Sequence, residues 1–335
     1  MTEEATGWGG GLWAAADLVT PMAIRVAATL RLADHIAAGT RTAEALAEAV
    51  DADPDALRRL LCHLVTAGVL SGADTGIYRL TAFGEHLRDD DPDGVRAWLD
   101  LEGAVGRGDL CFVQLLHTVR TGEPAFPRQF GRAYWDDLAE DPQLAASFDA
   151  LMGARLVADA PAVAAAYPWG TLGHVVDVGG GNGTLLIAIL RAHGDLRGTV
   201  VDLAGPVARA EQAIVAAGLD HRAGTQAGSF FDPLPAGAGG YLLSGVVHDW
   251  DDEHAARILQ RCADAAADAG KVLLVDHIGD GHGSTTEGDL RMLCYVRGRE
   301  RTLDQLGELA GSVGLRVGSV TPAGSRSIVE LRPSH

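Results

Sequence analysis

The sequence predicts a two-part chain. A doubly wound, mostly parallel α/β sheet with an antiparallel edge hairpin follows a helical, winged-helix-like domain. Three observations carry this. Short apolar runs alternate with helical stretches from residue 174 onward, as in parallel βαβ units. The first run leads straight into a glycine-rich loop, Val175-Val176-Asp177-Val178-Gly179-Gly180-Gly181-Asn182-Gly183-Thr184. The first ninety residues instead carry helical periodicity and one short strand. A length of 335 residues also favours more than one domain. The expected division is 1–95, a helical connector 96–170 that lines a substrate pocket, and 171–335.

The N-terminal elements follow in order. Pro21 to Ala38 has apolar residues at helical spacing, and Gly39 suits its end. Thr42 can cap a helix running to Val50, and Asp53-Pro54 opens another to Ala67. Ile77-Tyr78-Arg79-Leu80 is a short strand. Helix, helix and a β wing is a DNA-binding pattern, but residues 1–90 hold 7 basic against 13 acidic residues, so packing or dimerisation is the better reading. In the connector, Asp89–Asp93 is a solvated break, Glu123–Pro127 a turn and Asp141–Tyr167 a helix.

The C-terminal strands are His174–Val178, Thr199–Leu203, Tyr241–Val247, Lys271–Asp276, Leu315–Val320 and Ser327–Leu331. The helices between them fall near Gly183–Ala192, Pro206–Ala217, Glu253–Ala266, Gly288–Val296 and Thr302–Val313. Only Pro322-Ala323-Gly324 and its neighbours separate the last two strands, so they pair as a hairpin.

Composition narrows the function. The chain carries 27 basic and 45 acidic residues, net −18, which argues against a nucleic-acid backbone as partner. No apolar run has the roughly 18 residues of a membrane helix, and Met1-Thr2-Glu3-Glu4 is unlike a secretory start. Four dispersed cysteines (Cys62, Cys111, Cys262, Cys294) fit a reduced cytoplasmic setting and no zinc knuckle.

The glycine loop follows a strand and opens a helix, the context a nucleotide loop requires. Gly179 and Gly181 admit a tight turn and a close ligand. Asp202 ends the next strand, 19 residues after Gly183, where a carboxylate accepts ribose hydroxyls. Asp177 just before the loop would repel a pyrophosphate but attract a methionine amino group. The adenosine ligand read from these residues is therefore S-adenosylmethionine (SAM) rather than NAD. Ser229-Phe230-Phe231 follows the third-strand region and can reach an adenine. Trp250 either stacks near the cofactor or packs its loop.

With these segments the chain resembles the plant-type small-molecule O-methyltransferases, and more closely their bacterial relatives of antibiotic and polyketide biosynthesis. The matching residues are Asp177–Gly183, Val201-Asp202-Leu203, Gly228–Phe231, Ser244–Glu253, Val275-Asp276 and Gly298–Thr302. The resemblance implies a Rossmann-like class I methyltransferase domain, a winged-helix-like dimerisation domain and an interlocked homodimer. It places Asp177, Gly179, Gly181, Asp202, Leu203, Ser229, Phe230, Ser244 and Trp250 around SAM. The position where several bacterial members carry an arginine holds Ala145.

Methyl transfer from SAM to a phenol needs an oriented nucleophile and a base. His248 directly follows the fourth strand, at the carboxyl edge where open α/β sheets place ligands. Asp276 ends the neighbouring strand, and Glu300 falls where the family keeps a second acid. Asp276 is the expected orienting partner of His248 and Glu300 a second one; Asp276 is one methylene shorter than the glutamate usual in the plant-type members, so Glu300 is the alternative closer partner. His254 and His277 are weaker candidates for the base. Asp249, Asp251, Asp252 and Glu253 read as a helix start rather than a metal site. Tyr134, Trp135, Met152, Met292 and Tyr295 are candidates to line the substrate pocket. The alternatives are a SAM-binding hydroxylase or decarboxylase, a SAM-responsive winged-helix regulator, and an NAD dehydrogenase.

Overall fold

The computed structural model describes residues 11–267, 269–278 and 286–334, so the acidic start Met1–Glu4 lies outside the described residues. The chain divides into two compact units, residues 1–110 and 111–335.

The first unit contains α1 (Gly11–Ala16), α2 (Val19–Thr29), α3 (Leu32–Ala37), α4 (Ala43–Ala49) and α5 (Pro54–Thr66). The strands β1 (Leu70–Ser71) and β2 (Arg79–Leu80) come next, then α6 (Ala82–Glu85), α7 (Val95–Leu99) and α8 (Ala104–Asp109). Thr42 caps α4 by accepting from Ala45 N at 3.3 Å, and Asp53 caps α5 by accepting from Ala56 N at 2.8 Å. The single helix expected over Pro21–Ala38 is two helices. Arg31 sits at φ 52°, a left-handed conformation that ends one helix and starts the next. The break lets Ala27 and Ala28 of α2 and Leu32 and Ile36 of α3 bury in one core with Leu46, Leu61 and Leu64. The wing is shorter than expected. Tyr78 N donates to Arg41 O at 2.8 Å instead of to a strand, so only Arg79 and Leu80 pair with β1.

The second unit begins with α9 (Leu115–Thr121), α10 (Ala125–Phe130), α11 (Tyr134–Glu140) and α12 (Pro142–Ala166). The turn expected over Glu123–Pro127 is confined to its first residues, because Pro124 is the N-cap of α10. Then come β3 (His174–Val178), α13 (Thr184–Ala192), β4 (Arg197–Asp202), α14 (Ala204–Ala216), β5 (Ala223–Ala227) and β6 (Gly240–Ser244). The chain ends with α15 (Asp252–Ala266), β7 (Lys271–Asp276), α16 (Thr286–Val296), α17 (Leu303–Ser312), β8 (Leu315–Ala323) and β9 (Arg326–Pro333).

The seven strands lie in the order β5-β4-β3-β6-β7-β9-β8. The first five are parallel, and β8 and β9 form the antiparallel edge. Side chains alternate between the faces of the sheet. Val176, Val178, Tyr241 and Leu243 meet α15 and α17 through Ile258, Leu259, Leu306 and Leu309. Val175, Val200, Leu242 and Leu273 meet α12, α13 and α14 through Val163, Leu186, Ile189 and Ile214. Truncating one such leucine or isoleucine to alanine costs about 2–5 kcal/mol. At the amino edge, the chain's one lysine, Lys271, donates at 3.1 Å to both the Tyr167 hydroxyl and Glu330 Oε2, which ties β7 to β9. Parallel pairing brings the carboxyl ends of β3 to β7 to one edge, and the candidate site residues that follow these strands gather there.

Candidate active site

The cofactor half starts where β3 runs out. Gly179, Gly181 and Gly183 adopt φ of 72°, 57° and 78°, so the loop turns in a way side chains disfavour. A Cβ on Gly179 would fall 2.8 Å from Val246 Cγ2, and one on Gly180 would fall 2.6 Å from Asp177 Cγ. The loop is thus folded back over Asp177. Asp202 holds it: its Oδ2 accepts from Gly181 N at 2.8 Å and its Oδ1 from Leu203 N at 2.7 Å. Asp202 O accepts from Gly228 N at 2.9 Å, which brings Ser229 and Phe230 alongside. Phe230 lies against the glycine loop and meets Trp250 edge-on at 5.7 Å, and Trp250 also packs on Phe231 and His254.

Asp177 is buried, and neither carboxylate oxygen finds a hydrogen-bond partner among the described residues; the Ser244 hydroxyl at the end of β6 is likewise buried and unpartnered among them. Burial, with Asp202 adding like charge, pushes the Asp177 carboxyl up to about 7. An unpaired buried carboxylate is costly unless a cation meets it. This pocket therefore fits a ligand with an ammonium group beside its adenosine.

The second half centres on His248. The strand expected to reach Val247 stops at Ser244. Gly245, at φ 64°, turns the chain, and Val247–Asp249 forms one 3₁₀ turn that carries the imidazole off the sheet edge. His248 Nδ1 lies 3.2 Å from Asp276 Oδ1 and 3.3 Å from Glu300 Oε1. It is within ion-pair reach of both, without a straight N–H···O line to either. Its Nε2 faces Asp249 Oδ1 at 3.4 Å. Burial works against a charged ring here, but Asp276 and Asp249 outweigh it and hold the imidazole well above its ordinary value. Burial drives Asp249 up to about 7, against the pull of His248. Asp276 stays below the usual range because His248 and Arg326 overcome its own burial. Glu300 is brought in by a close approach: a Cβ on Gly298 would collide with the His248 carbonyl oxygen. Arg299 N donates to that oxygen at 2.8 Å, and Glu300 N donates to Asp289 Oδ1 at 2.8 Å.

The other histidines are occupied elsewhere. His254 Nδ1 is 2.7 Å from Asp251, which caps α15 by accepting from His254 N at 2.9 Å. His277 meets Arg155 Nη2 at 3.1 Å and Ser325 O at 3.0 Å. Of the five pocket candidates, Tyr134, Trp135 and Tyr295 share one aromatic cluster with Phe126 and Phe148. Tyr134 stands 5.2 Å from both Trp135 and Tyr295, and Trp135 5.6 Å from Phe148. Met152 and Met292 are half-buried on α12 and α16, outside that ring cluster. Sequence reasoning assigned nothing to Asp149 and Arg209, which pair beside Asp202. Nor did it assign Asn182, against which Gly153 of α12 packs. These residues meet only through the crossing of α12 over the loop.

Residues 112–316 match the O-methyltransferase domain, and residues 13–89 match the O-methyltransferase dimerisation domain. The chain belongs to the O-methyltransferase family. It is 56% identical over 322 residues, 96% of this chain and 97% of the relative, to a 2,7-dihydroxy-5-methyl-1-naphthoate 7-O-methyltransferase of Streptomyces carzinostaticus. It is 47% identical, over 93% of this chain and 85% of the relative, to the aclacinomycin 10-hydroxylase RdmB of Streptomyces purpurascens. The crystal structure of the O-methyltransferase NcsB1 of neocarzinostatin biosynthesis, in complex with SAM and 2-hydroxy-5-methyl naphthoic acid, superposes with a TM-score of 0.93. The two are 56% identical, covering 96% of this methyltransferase and 98% of that chain. The enzyme is a SAM-dependent O-methyltransferase.

Proposed function

We propose that the enzyme methylates a phenolic hydroxyl of a small aromatic natural product, with His248 as the general base. The observation that carries this is the His248 ring, held between Asp276 and Glu300 at the carboxyl edge of the sheet. Asp276 and Glu300 keep the proton on Nδ1 and stabilise the imidazolium, leaving Nε2 to take the phenolic proton. An imidazole raised above its ordinary value is a better match to a phenol of pKa about 10. SAM, when bound, supplies an already activated methyl group. Asp177 would hold its amino group, Asp202 its ribose, Ser229 and Phe230 its adenine, and Ser244 its methionine end. Gly179, Gly181, Leu203 and Trp250 would complete that wall.

The acceptor class rests on the naphthoate relatives and on the Tyr134, Trp135 and Tyr295 cluster, with Met152 and Met292 as further lining. The dimerisation-domain match and the exposed apolar Leu12, Trp13, Leu18 and Val19 support a homodimer. The cysteines are free, and no helix among the described residues is long and apolar enough to cross a membrane; we place the enzyme in the cytoplasm. The domain reading keeps 1–95 for dimerisation, 96–170 as connector and 171–335 for SAM. The test is to supply SAM and 2,7-dihydroxy-5-methyl-1-naphthoate, the acceptor named for the 56% identical relative, and weigh the product. A gain of one methylene with S-adenosylhomocysteine formed is expected. A gain of one oxygen would instead establish the hydroxylase reading, which the RdmB likeness favours and the intact His248 acids oppose.

A further inference from the structure

We propose that Arg301 is a positioning residue for methyl transfer: its guanidinium holds the His248 turn and the Glu300 segment in one register. This rests on His248 being the base.

The turn that carries the base is weakly held by itself. Its own bonds are Asp249 N to Val246 O at 3.2 Å, at the upper end of the ordinary range, and Trp250 N to Val247 O at 3.4 Å, beyond it. The firm bonds come from residues 299–301. Arg301 Nη1 donates to Val247 O at 2.8 Å, and Arg301 Nη2 to Trp250 O at 2.8 Å. Arg299 N donates to His248 O at 2.8 Å. The carbonyls of Val247, His248 and Trp250 are thus all claimed by the segment that bears Glu300. Arg301 also reaches Asp252 Oδ1, through Nε at 3.1 Å and Nη2 at 2.8 Å.

The burial of this pair is asymmetric. The Arg301 side chain is 2% exposed while that of Asp252 is 62% exposed. A charge partner for Asp252 needs no burial. A cation beside the first turn of α15 also works against the helix dipole. What burial gains is the pair of carbonyl bonds. The planar guanidinium offers five donors in a fixed fork, so one side chain can bridge Val247 and Trp250 while bound to Asp252. A lysine ammonium has neither the span nor the geometry. Glu300 is the next residue, so a shift of Arg301 moves the acid and the base relative to one another. Nδ1 to Oε1 is already 3.3 Å.

The carboxylates that face the ring are Asp249 on its own turn, Asp276 of β7 and Glu300, and His277, Arg299 and Arg301 line the same cavity. Arg326 of β9 and Arg155 of α12 lie beyond Asp276. If the carboxylates retreat, the imidazolium is less stabilised and the base becomes weaker.

The experiment compares Arg301→Met, Arg301→Lys and His248→Ala with the wild-type enzyme, below their melting temperatures. It measures the single-turnover methylation rate across pH and SAM binding by calorimetry. Arg301→Met should transfer methyl about 100-fold more slowly, as expected for a misplacement of order 1 Å. Its SAM affinity should change far less than its rate, and the pH midpoint of its rate should move down. Arg301→Lys should stay slow, with the same downward midpoint. A wild-type rate and midpoint in Arg301→Met, whatever its melting temperature, would reduce Arg301 to a structural residue. If that variant does not fold, Arg301→Lys decides, and a wild-type rate and midpoint overturn the proposal. His248→Ala separates the two readings. If it retains the wild-type rate, the base reading fails and Arg301 with it. If it is inactive while the Arg301 variants are fast, Arg301 alone fails.

Discussion

Asp177 of β3 and Asp276 of β7 come from parallel strands four places apart in chain order, both lie at the carboxyl edge, and both are buried. Their electrostatics are opposite. Asp177 has no hydrogen-bond partner among the described residues and is pushed up to about 7, whereas Asp276 faces His248 and Arg326 and stays below the usual carboxylate range. Burial works against the charge of both carboxylates, and the neighbour decides whether it prevails. The first aspartate is buried without a cation beside it, and the second faces an imidazole already in place. On the function proposed above, one half of the site binds SAM and the other holds a proton.

The largest effect expected from this contrast is on the proton-holding side. His248→Ala should lower the transfer rate by about 10²–10⁴-fold, the usual contribution of a general base, while calorimetry finds SAM binding intact. On the binding side, Asp177→Asn should weaken SAM by about 1.5–3 kcal/mol, the worth of a hydrogen bond to a charged group. Its sign on stability is reversed. Because the native carboxyl sits at about 7, above the 3.8 of a free one, folding disfavours its charge, and Asn should raise the melting temperature of SAM-free protein at pH 8. A lower melting temperature would mean that Asp177 has a partner after all.

Asp276→Asn should do the opposite and destabilise the fold. The loss should fall below the about 3–5 kcal/mol of a fully severed buried pair, because Glu300 and Asp249 still face the ring. It should be largest between pH 4 and 6.5 by denaturant titration, where the aspartate is charged and the imidazolium is fully formed. It should shrink as pH rises through the raised value of His248, and also as it falls through the lowered value of Asp276. The smallest effect concerns metals. His248, Asp276 and Glu300 offer ligand atoms all within 4.8 Å of one another, yet the reaction asks only for a base. Treatment with a chelator should leave the methylation rate unchanged.

The same contrast explains what was legible in the sequence. The binding half lies in two short stretches, Asp177–Gly183 and Val201–Leu203, where glycines and strand-end acids stand at readable spacing. The sheet was legible wherever strands are apolar. It was not at β5, whose Ala-Gly-Thr-Gln-Ala carries no apolar run because it is the outer strand. The split of Pro21–Ala38 at Arg31 was hidden because the helical periodicity continues across it. The proton-holding half draws on residues 248, 276 and 300; the ends of neighbouring strands placed the first two near one another, and only the family likeness named Glu300. The roles of Asp249 and of the Arg301 carbonyl bonds depend on the turn after β6 and have no sequence signature.

The most direct test of the account is the pH dependence of single-turnover methyl transfer by the wild-type enzyme saturated with SAM and acceptor. The rate should rise tenfold per pH unit and level off at a midpoint above 6.5, the raised position of His248. A rate independent of pH from about 5 to 9, the range over which a histidine base must titrate, would contradict it.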